Sequence, residues 1–136
     1  MIYSCDFETT TDINDCRVWA WCAIELNTEL EYYGNSIETF ISWTKTSPKN
    51  LYFHNLKFDG EFILSYLLNN GFAYSKEKEL KDHEFITLIN EMGQFYQLKF
   101  NINGVIITIK DSLKLLNFSV DQIAKSFNMN TDFNVL

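Results

Sequence analysis

Two carboxylates near the start of the chain, Asp6 and Glu8, have the clearest capacity for chemistry in this sequence. They lie at the end of a short apolar segment, residues 1–7, that has the character of a β-strand. Because strand side chains alternate between the two faces of a sheet, both carboxylates are expected on one face. Two neighbouring carboxylates repel each other, so one would be protonated unless a cation lay between them. A hard divalent ion with oxygen ligands, Mg²⁺ or Mn²⁺, suits such a pair.

The ordinary alternative for this pair is an exposed strand end with two solvated acids. The pair closes a strand and is followed directly by Thr9 and Thr10. That placement favours an organised metal-binding site over two solvated acids.

A third carboxylate, Asp59, follows a second short apolar strand at residues 51–54, with Asn55 four positions before it. If a helix has already begun at Asn55, this spacing places both side chains on one helical face. Asp59 would then add a third carboxylate beside the first two. The alternative is an ordinary acid at a helix start, where it complements the helix dipole.

Aromatic side chains surround Asp59 in the sequence: Tyr52, His54, Phe58 and Phe62. Aromatic rings interleaved with a carboxylate and an amide can stack on a terminal base while a metal ion holds its phosphate. Phenylalanines spaced four apart on a helix also serve as core residues, so Phe62 has both interpretations.

Length and composition indicate one domain with a real core, because the chain has 136 residues, 46% of them hydrophobic. The net charge of −7 argues against a general basic nucleic-acid binder. It does not exclude a nuclease, whose carboxylates are partly neutralised by metal. An acidic chain also suits a protein that occupies a basic groove on a partner.

The three cysteines are odd in number and lack a C-x-x-C spacing, which predicts reduced thiols. Cys5 and Cys22 are expected to be buried in strands. The sequence has no apolar run of membrane-spanning length and no basic segment leading into an apolar one at its start. These features predict a cytosolic protein without a membrane association.

Hydrophobic patterning predicts seven strands and three helices in the order β-β-β-α-β-α-β-β-β-α. Ser36 is a suitable N-cap for the first helix, with Thr39 at position N3, and Gly71 is a suitable terminator for the second. Asn103-Gly104 predicts a tight hairpin between the last two strands. The predicted fold is α/β, a mixed sheet flanked by helices, and carboxylates on its first strand match the ribonuclease-H-like architecture. The predicted strands cover residues 1–7, 18–26, 30–33, 51–54, 85–90, 95–102 and 105–110, and the helices follow Ser36 and cover 58–69 and 119–127.

Three stretches of the chain together resemble the N-terminal 3′–5′ exonuclease domain of protein-primed family B DNA polymerases, the replicases of small phages and linear plasmids. They read D-F-E-T-T at residues 6–10, L-Y-F-H-N-L-K-F-D-G-x-F-I at 51–63, and K-D-S-L-K-L-L at 110–116 with I-A-K-x-F after it. The resemblance implies a DEDD-type exonuclease fold and a divalent metal cofactor, Mg²⁺ or Mn²⁺. By this resemblance Asp6 and Glu8 match the metal-binding acids of the first exonuclease motif, and Asn55 and Asp59 match the second. Positions that bind single-stranded DNA in the family match Thr9, Tyr52, His54, Asn55, Phe58, Phe62, Ser112 and Leu113.

The sequence departs from the family pattern at the third exonuclease motif, a tyrosine four residues before the last metal-binding aspartate. No Y-x-x-x-D follows Leu113, and Asp132 is isolated in a tail without a pattern. The expectation is a single domain, residues 1–136, truncated before that motif. Two-metal hydrolysis needs carboxylates that clamp both ions around an in-line water. Three acids could still hold one ion, so the metal site could be vestigial and cleavage weak or lost.

Two hypotheses of function therefore stay open, with a fragment lacking an independent role as a third. In the first, the domain binds single-stranded DNA 3′ ends and metal and resembles a 3′–5′ exodeoxyribonuclease without its last metal-binding aspartate. In the second, a stand-alone phage-derived inhibitor binds a basic host protein such as a defence nuclease, in the manner of an anti-CRISPR protein. Either would act in the cytoplasm of the host cell of a phage or mobile element. Acids available for the second role are Glu25, Glu29, Glu31, Glu77, Glu79 and Asp82.

Overall fold

The structure is a computed structural model that describes residues 1–10, 12, 14–89, 92 and 95–112. Its elements are β1 (Ile2–Thr9), β2 (Val18–Glu25), β3 (Glu31–Gly34), α1 (Ile37–Thr44), β4 (Lys49–Phe53), α2 (Leu56–Asn69), β5 (Ala73–Tyr74), β6 (Glu84–Ile89), β7 (Phe95–Ile102) and β8 (Val105–Asp111). The strands form one eight-stranded sheet in the order β3-β2-β1-β4-β8-β7-β6-β5. Strand β4 is parallel to both of its neighbours, β1 and β8, whereas β2 and β7 pair antiparallel on either side of this trio.

The predicted α/β class and mixed sheet are confirmed. Strand β5 was not predicted, because two residues are too short to show an alternating pattern. The predicted helix at residues 119–127 lies outside the described residues. The ribonuclease-H-like assignment stays a prediction. Within the described ranges, no helix is long and apolar enough to cross a membrane.

One face of the sheet carries the core, and both helices pack against it. In β1 the odd-numbered side chains Tyr3, Cys5 and Phe7 are buried. Phe40 of α1 meets Phe7 edge to face, with ring centroids 4.9 Å apart, and Ile63 of α2 belongs to the same core. Burying one such side chain stabilises the fold by roughly 1.5–3 kcal/mol. This packing fixes which side chains of β1 face solvent.

The other face of the sheet is called the open face below. It carries the even-numbered side chains of β1, which include Asp6 and Glu8, and the side chains that lie beside them on the neighbouring strands. Among the described residues of this face, only Asn101 is buried. The predicted flanking by helices therefore holds for one face only in the described ranges. The prediction that Cys22 is buried is wrong, because its register partner is Asp6 and it shares the open face. Cys5, on the opposite face, is buried as predicted, and all three cysteines are free.

The predicted helix start, helix end and hairpin turn all form as expected. The Ser36 side chain accepts a hydrogen bond from the Thr39 N–H at 3.2 Å, within a capping box that begins α1. Gly71 has φ +82, and the N–H of the following Phe72 donates to the Leu67 carbonyl at 3.0 Å, which is the Schellman arrangement after α2. Positive φ values at both residues of Asn103-Gly104 close the β7–β8 hairpin.

Candidate functional site

The end of β1 presents Asp6 and Glu8 side by side on the open face, and both are exposed. The prediction that alternation places them on one face is confirmed. Their register partners on β2 are Cys22 and Ala20. The register shifts directly after Glu8, so that Trp19 becomes an extra residue in β2. Bulges of this kind occur next to active sites, where they re-aim a side chain.

Asp59 approaches the same strand from the other side. The pairing of β1 with β4 ends at Cys5 and Phe53, so the next part of β1 has a free edge on that side. Asp59, in the first turn of α2, accepts a hydrogen bond from the backbone N–H of Phe7 at this edge. The side chain is buried, with only 3% of its residue surface exposed. Because α2 begins only three residues after the end of β4, its first turn lies beside the end of β1 and positions the Asp59 carboxylate there.

The three carboxylates interact electrostatically, as the pKa of Asp59 shows. Burial, which disfavours the charged form, and then repulsion from Asp6 raise the pKa of Asp59 from 3.8 to about 6. Glu8 adds a smaller repulsion, whereas the Phe7 N–H favours the carboxylate. At neutral pH this group of three acids is therefore electrostatically unfavourable, and a cation would relieve it.

A metal ion needs several ligands within its coordination distance at the same time. Within the described ranges, no three His, Cys, Asp or Glu side chains lie close enough together to hold one. The predicted convergence of all three carboxylates on one point is therefore absent from this side-chain arrangement. Asp6 and Glu8 are exposed, whereas Asp59 is buried. The donor set nevertheless fits a hard divalent ion, since it consists of carboxylate oxygens and one of them is buried.

Asn55 is placed differently from the prediction. Helix α2 begins at Leu56, and Asn55 is its N-cap residue. The Asn55 side chain makes no capping hydrogen bond to the first turn of the helix. Its backbone carbonyl accepts from the Asp59 N–H at 2.8 Å. The condition for a shared helical face is therefore not met: Asn55 is exposed and Asp59 is buried.

The predicted DNA-binding residues of β4 and β8 lie together at the carboxyl ends of these parallel strands. Tyr52 is half-buried on the open face. His54 follows β4 directly, and its Nδ1 lies 3.2 Å from the Ser112 hydroxyl, just after β8. Leu113 lies outside the described residues. The remaining predicted residue of this kind on β1, Thr9, is half-buried at the strand end.

Phe58 and Phe62 lie on the first two turns of α2. Phe58 has 45% of its surface exposed, and its ring meets that of Phe62 edge to face at 5.3 Å. Phe62 also packs against the core, which confirms part of its core interpretation. Phe58 is thus the more available of the two rings, and it neighbours Asp59.

Two further residues at the site were missed by sequence reasoning. Trp19 has 52% of its surface exposed and lies in the bulge opposite Glu8. Cys22 is exposed beside Asp6, and Asp6 and Glu8 contribute to raising its pKa after burial. Alternation along β2 could have indicated Cys22, but a bulge leaves no signal in the sequence.

The acids considered for an inhibitor surface are not all available. Glu25 is buried, and its carboxylate accepts hydrogen bonds from the N–H groups of Asn27 at 2.8 Å and Thr28 at 3.0 Å. These amides hold the pKa of Glu25 below its usual range. Asp82 accepts from the N–H of Asn103 at 2.7 Å. The prediction that Glu25 is a surface acid is therefore wrong, because it organises the turn between β2 and β3.

Comparison with known proteins assigns the chain to a family. The family model for DNA polymerase type B, organellar and viral, matches residues 41–134, and the chain belongs to this family. Within it, the match is to the N-terminal exonuclease region of the protein-primed phage polymerases. The prediction made from the three sequence motifs is confirmed.

The DNA polymerase of Bacillus phage phi29 is 42% identical over 134 residues, which cover 94% of this chain and 23% of the relative. That of Streptococcus phage Cp-1 is 35% identical, over 93% of this chain and 23% of the relative. The chain thus spans about a quarter of the length of these relatives.

Solved structures of the phi29 polymerase are similar to this chain. The complex with primer-template DNA has a TM-score of 0.77 at 41% identity, over 93% of this chain and 23% of that one. The complex with single-stranded DNA has a TM-score of 0.74 at 39% identity, over the same shares of the two chains.

Proposed function

We propose that this domain binds the 3′ end of single-stranded DNA together with a divalent metal ion, at the end of β1 and the start of α2. The observation that carries the proposal is the buried carboxylate of Asp59, whose pKa is raised to about 6 by burial and by Asp6. A buried acid whose pKa is raised by burial and by its neighbours opposes folding at neutral pH, so stability does not account for its presence. Such groups cluster at functional sites.

In this proposal Asp6, Glu8 and Asp59 hold Mg²⁺ or Mn²⁺. When bound, the ion supplies positive charge and Lewis acidity at the terminal phosphate. Asp59 is fixed by the Phe7 N–H, whereas Asp6 and Glu8 are exposed and free to turn toward the ion. The proposed site thus combines one fixed carboxylate, that of Asp59, with two adjustable ones, those of Asp6 and Glu8.

Aromatic rings beside these acids would bind the last bases of the strand. Phe58 offers an exposed ring next to Asp59, and Tyr52 offers a half-buried ring on the open face. His54 and Ser112, which directly follow β4 and β8, form a polar pair. Thr9, Asn55, Phe62 and Leu113 complete the set carried over from the resemblance. The phi29 polymerase, solved with single-stranded DNA, supports this choice of ligand.

We further propose that the 136-residue chain by itself cleaves DNA weakly or not at all. It supplies three acids, and no Y-x-x-x-D follows Leu113 to position the attacking water. The site of action would be the host cytoplasm, where a phage polymerase finds its DNA. No observation favours the inhibitor hypothesis, and the burial of Glu25 removes one of the acids on which it depended.

A binding experiment with Phe58→Ala tests the stacking part of this proposal. We expect the variant to bind a fluorescent oligonucleotide at least about fivefold more weakly, because one base stacked on an aromatic ring contributes roughly 1–3 kcal/mol. Leu68→Ala is the matched control, since Leu68 lies on the same helix, is 57% exposed, and is remote in sequence from the site. Equal losses in both variants, or none in either, would contradict the role of Phe58.

A further inference from the structure

Lys49, the first residue of β4, is buried, with only 3% of its surface exposed. Lysine side chains are almost never buried so completely unless their charge has a partner. Among the described residues, the salt bridges join Arg17 to Asp15 and His83 to Asp82, so Lys49 takes part in none of them. Within those ranges, its ammonium group is therefore held by uncharged groups.

Four oxygen atoms of residues 44–47 surround the Lys49 ammonium group. It donates to the Thr44 carbonyl at 3.1 Å and to the Ser47 carbonyl at 3.0 Å. The hydroxyl oxygens of Thr46, at 2.8 Å, and of Ser47, at 3.2 Å, complete the set. These residues lie at the end of α1 and in the turn that leads to β4. The four oxygens are called the oxygen cage below.

An aromatic ring closes a further side of the oxygen cage. The Lys49 Nζ lies 5.0 Å from the centre of the Trp43 ring, within the range of cation–π attraction. Trp43 is itself held by Tyr3, edge to face at 5.0 Å, and by Trp21 at 5.3 Å. Both of these neighbours are core residues, so the core fixes the position of the Trp43 ring.

The oxygen cage lies where a cation is electrostatically favoured. The last carbonyl groups of a helix lack partners within the helix, and they form the negative end of its dipole. Helix α1 has no basic residue in its last turn, and it ends at Thr44, whose carbonyl accepts from Lys49. The lysine of the following strand thus supplies the positive charge that the helix itself lacks.

The hydrogen bonds indicate that Lys49 is charged, although burial lowers its pKa. The carbonyl oxygens of Thr44 and Ser47 can only accept. The Thr46 hydroxyl donates its proton to the Trp43 carbonyl at 2.8 Å, so the Thr46 oxygen also accepts from Lys49. Three acceptors need three N–H donors, which an ammonium group has and a neutral amine lacks.

We propose that residues 43–47 form a binding site for a primary ammonium ion, which the chain fills from within by means of Lys49. The site recognises a cation with three N–H donors, and the lysine stem only delivers it. The bound cation joins the end of α1 to the start of β4, the strand that leads into α2. In a variant with a short side chain at position 49, the same site should take up a small alkylammonium ion from solution. This inference is independent of the proposed function.

Lys49→Met tests whether the charge is needed, because methionine fills a similar volume without any N–H donor. We expect Tm to fall by about 5–10 °C, since the buried carbonyl oxygens lose their partner. Lys45→Met is the matched control, because Lys45 is an exposed lysine directly after α1, and its Tm should stay close to that of the wild type. A Lys49→Met variant as stable as the wild type would overturn the proposal.

Lys49→Ala tests recognition of the ion by chemical rescue. The atoms that it removes correspond to n-propylammonium, so this ion should raise the Tm of the variant by several degrees, with saturation, and leave the wild type unchanged. n-Propanol has the same length without the charge, and tetramethylammonium has the charge without N–H donors, so neither should reproduce the rise. If the variant does not fold by itself, recovery of folded protein from urea, with and without n-propylammonium, replaces the Tm.

Absence of rescue by n-propylammonium would overturn the proposal. Equal rescue by n-propanol would do the same, because the site would then recognise volume and not an ammonium ion. NMR of protein with isotope-labelled lysine gives a second measure. At neutral pH a slowly exchanging ammonium signal should be present in the wild type and absent in Lys49→Met. A neutral-amine signal for Lys49 at that pH would contradict the assignment of three donors.

Discussion

The substitution Asp59→Asn should stabilise the free protein at neutral pH, although it removes a proposed metal ligand. The shift in pKa from 3.8 to about 6 corresponds to about 3 kcal/mol, at 1.36 kcal/mol per pKa unit. Water around the exposed Asp6 and Glu8 screens part of the repulsion, so we expect about 1–3 kcal/mol. Asparagine keeps the volume of the side chain and an oxygen that can accept from the Phe7 N–H.

The sign of the effect follows from proton binding. Below pH 3.8 the Asp59 carboxyl is protonated in both the folded and the unfolded chain. Between pH 3.8 and about 6 only the unfolded chain releases this proton, so the free energy of unfolding falls as pH rises through that window. Asparagine does not titrate. The advantage of the variant should therefore be small at pH 4, grow between pH 4 and 6, and stay constant above.

Urea or thermal unfolding of both proteins at a series of pH values measures this difference directly. Each kcal/mol corresponds to about 3–4 °C in Tm for a domain of this size. Glu61→Gln, at an exposed acid two residues further along α2, is the matched control, because it makes the same kind of change at a solvent-exposed position of the same helix. An Asp59→Asn variant no more stable than the wild type at pH 7, or equally stabilised at pH 4, would refute the reasoning.

Two further predictions concern metal and catalysis. Calorimetry with Mn²⁺ should show weak binding that Asp6→Ala abolishes, because the ion needs the adjustable carboxylates as well as Asp59; equal binding by both proteins would remove the site. Hydrolysis of single-stranded DNA by the 136-residue chain should be orders of magnitude below that of an intact exonuclease, since each 1.36 kcal/mol of lost transition-state stabilisation costs about tenfold. Vigorous hydrolysis that Asp59→Ala eliminates would show that other residues replace the third motif.

Features that depend on neighbouring residues were predictable from the sequence. Alternation placed Asp6 and Glu8 on one face, and the cap at Ser36 and the turn at Asn103-Gly104 form as expected. In each case the physical cause lies within a few residues: the strand repeat, a side chain that reaches the helix start, or a pair that tolerates positive φ. Such signals survive without knowledge of the tertiary structure.

Features that depend on partners distant in sequence were not predictable. Glu25 looked like a surface acid, but the turn between β2 and β3 folds back over its carboxylate. Cys22 looked like a core residue until the register with Asp6 placed it on the open face. The raised pKa of Asp59 depends on the end of the β1–β4 pairing, which no local pattern encodes. The candidate site was found from residue types and motifs, and its electrostatics came only from the fold.

The most direct test of the central claim compares linear and circular single-stranded DNA of the same length and sequence, with Mn²⁺ present. A site for a 3′ end at Asp6, Glu8 and Asp59 should bind the linear strand clearly more tightly, and Asp6→Ala should remove that preference. Fluorescence anisotropy gives both affinities, and a gel of the same samples shows whether the linear strand stays intact. Equal affinity for the two forms, unchanged in Asp6→Ala, would contradict a metal-assisted 3′-end site.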